Sequence, residues 1–197
     1  MAGRITRRTF VASVAAVFAG CVGGGGTPTA TPTATSNNPA VGDAERMGDL
    51  RLTSSAFEDG GPIPEEYGRG ARNVNPPLAI EGVPAEAASL TLVVDDPDAV
   101  EPAGEVWLHW LVWNVPPSRA EIPEDWEPTE AVEGENDFGN RGYGGPAPPE
   151  ETHTYRFKLY ALDTTPDLPE SADEREVGRA MRGALLARTQ LTGTYSP

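Results

Sequence analysis

Lysine is almost missing from this chain: Lys158 stands alone beside 14 arginines. Bases as a whole are scarce, 15 against 30 acids, for a formal charge of −15 over 197 residues. That balance argues against a nucleic-acid partner, because a phosphate backbone demands a basic footprint. Acid excess with so little lysine suits a protein bathed in concentrated salt, where screening removes much of the self-repulsion. A halophilic setting is therefore expected, the alternative being an acidic secreted domain. Cysteine occurs once, at Cys21, so an internal disulfide is impossible. The chain has no Gly-x-Ser-x-Gly elbow, no P-loop and no dinucleotide fingerprint. Its N-terminal apolar run, Val11 to Phe18, is too short to span a bilayer unaided.

That run nevertheless has a reading. Arg7 and Arg8 precede it, and Ala19-Gly20-Cys21 follows it. A charged region, a short apolar core and small residues at a cleavage point make a signal segment. The paired arginines resemble a twin-arginine export signal, and Phe18-Ala19-Gly20-Cys21 resembles a lipobox whose cysteine becomes the lipidated first residue. Residues 1–21 are expected to be this leader. Its removal takes Arg4, Arg7 and Arg8, leaving 12 bases against 30 acids and a charge of −18. Residues 22–48, rich in Gly, Thr, Pro and Ala, offer little to bury and read as a disordered tether. The expected location is the outer face of the cell membrane, with Cys21 as the anchor.

Residues 49–197 read as one domain, dominated by strands. The segments 50–57, 89–96, 106–115 and 154–163 are rich in β-branched and aromatic residues between Pro, Asp and Gly. Segments 89–96 and 106–115 are apolar at successive positions, which predicts strands covered on both faces. Segment 154–163 alternates, with Tyr155, Phe157, Leu159 and Ala161 sharing a face. One late helix is expected, capped by Ser171 with Glu174 and carrying Val177, Met181, Ala184 and Leu185 at helical spacing. A strand closes the chain near 190–196. Twenty prolines, most of them between positions 76 and 169, fit long irregular loops.

Chemistry concentrates in few places. Asp96-Pro97-Asp98 ends one strand, and His109 lies within the next. His153, one of only two histidines, shares strand parity with Tyr155, so both can face one cavity. Imidazoles donate hydrogen bonds and carry charge near neutral pH, so a pair of them suits a phosphate or another oxyanion. Backbone N–H groups at Gly144 and Gly145 are candidate further donors, since glycine allows close approach. Either histidine can instead be a structural core residue, and Asp96-Pro97-Asp98 only a turn. Two histidines and a carboxylate also match a metal site in residue type. They lack the tight helical spacing of a metallohydrolase, and no metal or other cofactor is expected.

The motifs VDDPDAV, VWLHWLVWNVPPS, NDFGNRGYGGPAPPEETHTYRFKLYALD and LTGTY occur in that order, with NPPLAIEGVP before the aspartates. Together they resemble the phosphatidylethanolamine-binding protein family, in its prokaryotic, Raf-kinase-inhibitor-like branch, over roughly residues 49–195. The resemblance implies an antiparallel β-sandwich with peripheral helices and a small anion pocket at one end. It assigns the pocket to Asp96, Trp107, His109, Gly145, Pro146, His153 and Tyr155, with Asp98 beside them. One departure is Thr154, where relatives commonly carry arginine between the His and the Tyr; another is Ala147, where they often have Cys or Pro. The expected function is binding of a phosphate-like anion or phospholipid head group by a membrane-tethered, non-enzymatic domain. Two other readings stay open: an extracytoplasmic module that docks on a protease or kinase, and a weak hydrolase using His109, His153 and Asp96.

Overall fold

The computed structural model describes residues 48–197. The leader and Cys21, and the tether up to residue 47, lie outside the described residues. Among the described residues nine strands are present: β1 Arg51–Thr53, β2 Gly61–Pro62, β3 Leu78–Glu81, β4 Ser89–Asp96, β5 Trp107–Val115, β6 Glu121–Ile122, β7 Val132–Glu133, β8 His153–Leu162 and β9 Leu185–Tyr195. Two short α-helices, α1 Val100–Ala103 and α2 Glu174–Ala180, and a 3-10 turn at Glu65–Tyr67 sit between these strands. The strands form a six-stranded sheet in the order β2-β9-β8-β4-β5-β7 and a three-stranded sheet in the order β1-β3-β6. All pairings are antiparallel except that of β2 with β9.

One buried cluster joins the two sheets. Leu52 and Ile80 of the small sheet meet Leu92, Val94, Trp110, Val112, Phe157 and Leu159 of the large one. The opposite face of the large sheet is covered too: Val93, Leu111 and Trp113 pack with Ala172 and Val177 of the α2 region. This explains why every residue of β4 is buried, whereas β8 alternates over most of its length. The mainly β sandwich expected from the sequence is the fold observed.

The helical expectation shifts by two residues. Asp173, not Ser171, is the N-cap: its Oδ1 accepts from the Glu176 amide at 2.8 Å, while Glu176 accepts from the Asp173 amide at 3.0 Å. Ser171 is taken up by a turn in which the Ala172 amide donates to the Pro169 carbonyl. Aspartate caps as well as serine does, so the pair outside that turn starts the helix. The helix ends at Ala180, and Leu185, expected on its face, opens β9 instead. Gly183, at φ +84°, turns the chain between them.

Candidate functional site

The site forms where β4 and β5 run out of regular pairing. On β4, Asp95 and Asp96 are adjacent and so point to opposite faces of the sheet. Both are buried. Asp95 faces the α2 side, where Arg156 clasps it with Nε–Oδ1 at 2.7 Å and Nη2–Oδ2 at 2.9 Å, and Lys158 Nζ reaches Oδ2 at 2.5 Å. Asp96 faces the small-sheet side. Its Oδ1 accepts from the amides of Asp98 and Ala99 at 2.9 and 3.1 Å, which turns the chain into α1. Its Oδ2 lies 2.7 Å from Nδ1 of His153, the first residue of β8. The adjacent acids thus have separate tasks, one tying the sheet to its own cations and the other orienting an imidazole.

His109 arrives by an irregularity. Val94 pairs with Trp110, but Asp95 pairs with Leu108, so His109 is an extra residue on β5. Such a bulge re-aims side chains. Here it sends His109 to the same face as Trp107 and Trp110. His109 is 2 % exposed, and its Nδ1 lies 2.6 Å from the Gly144 carbonyl. A carbonyl only accepts, so Nδ1 carries the proton. Burial pushes the imidazole below its ordinary 6.5, outweighing the Gly144 carbonyl and the Asp96 and Asp95 carboxylates, which pull it upward. The ring packs edge-on against Tyr155 and Phe138, with centroids 5.1 and 5.3 Å away.

The segment 136–146 lies along β5 and closes the site. Asp137 pairs both ways with the Leu108 backbone, its amide donating at 3.0 Å and its Oδ2 accepting at 2.6 Å. Buried Asn136 holds the turn, donating to the Gly142 carbonyl and accepting from the Phe138 and Asn140 amides. Phe138 is thereby set over the site: its ring is 5.4 Å from that of Trp107, and the Arg69 guanidinium sits 3.8 Å above it. Gly145 must be glycine, because a Cβ there would overlap the Tyr67 carbonyl and the Arg69 amide.

These parts line a half-open cavity of about 220 Å³ walled by Asp96, Trp107, His109, Phe138 and His153, together with the apolar Ala99, Pro102, Ala103, Ala147 and Pro149. An open cleft of about 880 Å³ lies beside it and shares His153, Pro102 and Pro149; its walls carry Asp98, Glu101, Glu150 and Glu151. Of the residues expected from the sequence, Asp96, Trp107, His109 and His153 meet at the cavity, and Asp98 lines the cleft while accepting from the Thr154 amide at 2.8 Å. Tyr155 lies beneath His109 rather than on the wall. Its hydroxyl is buried and has no hydrogen-bond partner of good geometry among the described residues.

Gly145 and Pro146 brace the site instead of lining it: the Gly145 amide donates to Asn73 Oδ1 at 2.8 Å, and the Pro146 carbonyl accepts from the Arg69 amide at 2.9 Å. The expectation that the Gly144 and Gly145 amides serve a ligand is corrected on the same ground. Gly144 donates to the His109 carbonyl at 2.8 Å, so both amides are already engaged. The sequence reading missed Phe138, Arg69 and the one-turn helix α1. The Asn136-Asp137-Phe138-Gly139 stretch carried a turn signal, but nothing local marked its aromatic ring as a wall. Among the described residues no group of three or more His, Cys, Asp or Glu side chains is arranged to hold a metal.

Comparison with known proteins agrees with this architecture. The phosphatidylethanolamine-binding protein family model matches residues 53–196. A UPF0098 protein of Methanothermobacter thermautotrophicus is 43 % identical over 151 residues, 74 % of this chain and 98 % of its own. LppC of Mycobacterium tuberculosis, which its name marks as a candidate lipoprotein, is 38 % identical over 182 residues, 89 % of this chain and 88 % of its own. Among solved structures, the Chlamydia trachomatis homologue CT736 superposes with a TM-score of 0.73 at 37 % identity, over 77 % of this chain and 99 % of its own. Escherichia coli YbcL, described as a new member of the mammalian family, gives 0.69 at 31 % identity, over 75 % of this chain and 98 % of its own. With the matched residues running from β1 into the last strand, the chain belongs to the phosphatidylethanolamine-binding protein family.

Proposed function

We propose that the cavity binds the phosphate-like oxyanion of a small head group, and that the domain is a non-enzymatic binding module tethered to the outer face of the membrane through Cys21. The observation that carries this reading is the meeting of His109, His153, Asp96 and Trp107 around one hollow of about 220 Å³. Both imidazoles use Nδ1 within the protein, and Nε2 of neither makes a hydrogen bond among the described residues. The buried Trp107 Nε1–H also has no partner there. Polar edges left unmatched in an otherwise apolar hollow are the mark of a ligand site. The volume falls below that of pockets for drug-sized ligands, which suits a head group.

The acids of the adjoining cleft add a sign preference. Asp98, Glu101, Glu150 and Glu151 repel a bare anion and attract a cation attached to it. A phosphate that bears an ammonium group, as phosphoethanolamine does, meets both demands. The lipidated state of Cys21 is supported by the lipobox-like stretch before it and by the name of the mycobacterial relative. The test is titration calorimetry with phosphoethanolamine on the protein and on His109→Ala. Saturable binding that weakens by at least about tenfold in the variant, as expected for losing a hydrogen bond to a charged group, supports the assignment. Equal binding by the folded variant overturns it.

A further inference from the structure

We infer that the pocket takes up its oxyanion together with one proton, so that what it recognises is a protonated anion–imidazole pair centred on Nε2 of His109. This deepens the oxyanion reading above and rests on it. The geometry fixes which ring nitrogen bears the proton in the empty site. Nδ1 of His109 is 2.6 Å from a carbonyl that has no proton to give. His153 likewise commits Nδ1, 2.7 Å from Asp96 Oδ2, to an acid whose other oxygen already receives two amides. In a neutral imidazole with Nδ1–H, Nε2 is a lone pair. Nε2 of His109 therefore presents an acceptor to the cavity, whose wall it shares with Asp96, Trp107, Phe138 and His153.

A fully deprotonated oxyanion placed against Nε2 of His109 has an oxygen facing that lone pair, which is repulsive. One proton removes the conflict, whether it starts on the ligand or is drawn from solvent onto Nε2. A phosphomonoester supplies it by binding as the monoanion, and a phosphodiester requires it on the imidazole. In both cases the hydrogen bond made is Nε2···H···O, and one proton leaves the bulk for each ligand bound.

The groups around His109 agree with this assignment. Asp96 and Asp95 act on it from β4, His153 shares the cavity wall from β8, and the Tyr155 ring packs on it from the same strand. From the 136–146 segment come Phe138 and the Gly144 carbonyl, with Arg69 on the far side of the Phe138 ring. Burial disfavours the charged ring while the site is empty. The arriving negative charge offsets that penalty and draws the proton in.

The experiment is calorimetry on the full chain at pH 7.5 in Tris and in HEPES, which differ in ionisation enthalpy. The probes are phosphoethanolamine, a monoester, and glycerophosphoethanolamine, a diester. The expected result for each is uptake of about one proton per ligand, with affinity falling about tenfold per pH unit between 7 and 8.5. Measurable binding with the same heat in both buffers and a flat pH profile overturns the inference while leaving the oxyanion reading standing. Absence of binding by both probes removes the oxyanion reading and this one with it. Two further measurements locate the proton. Saturating diester should move the ¹⁵N resonance of His109 Nε2 from its unprotonated to its protonated position, and His109→Gln should abolish the uptake. An unmoved resonance, or a variant that still takes up one proton, overturns the assignment to His109.

Discussion

Phe138 has neighbours of two opposite kinds: a guanidinium over its face, and two rings of the cavity wall at 5.3 and 5.4 Å. A cation over an aromatic face is worth about 0.5–1 kcal/mol at an exposed site, so Arg69 steadies the ring without locking it. Phe138→Ala removes all three contacts and opens the wall. Because Phe138 is only half-buried, the loss of stability should be about 1–2 kcal/mol, less than for a fully buried phenylalanine. Binding of phosphoethanolamine should weaken, and head groups carrying larger ammonium substituents should gain relative to it. Competition titration of the folded variant checks this, and an unchanged selectivity order counts against Phe138 as the wall that sets size. Glu133 poses a different residue-scale question. Burial raises its carboxyl above the ordinary 4.5, although the Trp110 indole donates to it at 2.7 Å. A raised folded value means that the folded state holds the proton more tightly, so this group's contribution is greatest below 4.5 and declines as pH rises through the folded value. Glu133→Gln keeps an acceptor for Trp110 and should raise the melting temperature at pH 7.5. The gain should shrink toward pH 4.5 in parallel melts.

At the scale of elements, the site depends on a loop whose order comes from one side chain. The Asn136 side chain makes three hydrogen bonds within its own turn, and the residue is 3 % exposed. Asn136→Ala should therefore loosen the 136–146 segment while β4 and β8 stay intact. Amide exchange read residue by residue should show faster exchange at Phe138 and Gly144 and no change at Leu92 or Phe157, with a cost of about 1–3 kcal/mol for the unmatched groups. The same elements show what the sequence alone could reveal. The double coverage of β4 and β5 was legible from unbroken apolar runs, and the alternation of β8 from its period of two. The polar members of the cavity were legible as residues, because charged and imidazole groups inside apolar strands are conspicuous. The position of His109 was not, since it hangs on a bulge whose register is set by Asp95 pairing with Leu108 rather than with His109. Nor could the helix start be chosen. Ser171 with Glu174 and Asp173 with Glu176 have the same spacing, and only the Pro169–Ala172 turn decides between them. The amides of Gly144 and Gly145 looked available because their partners, His109 and Asn73, are 35 and 72 residues away.

For the molecule as a whole, charge is the governing quantity. A net −15 with one lysine leaves many acids without a partner, and at low salt their repulsion acts across the whole domain. Raising ionic strength from about 0.1 M to about 1 M cuts the screening length from about 10 Å to about 3 Å. The melting temperature should climb steadily over that range of KCl in differential scanning fluorimetry. A flat or falling curve contradicts the halophilic reading and leaves only an acidic exported domain. Inorganic phosphate, which has no cation to offer the acids of the cleft, should gain affinity relative to phosphoethanolamine over the same range. Screening weakens both the repulsion of the bare anion and the attraction of the ammonium group.

Strand β9 is the latest of the described strands in sequence, yet it lies inside the six-stranded sheet, between β2 and β8, and shares a ten-residue register with β8. Strand β2 is held to the sheet only through β9, at Gly61–Gly193 and Pro62–Thr194. A segment made more than a hundred residues earlier therefore waits for β9 before it can join the sheet. Any cut ahead of Leu185 sets β2 adrift and leaves β8 as a bare sheet edge, the kind of surface on which two damaged copies adhere.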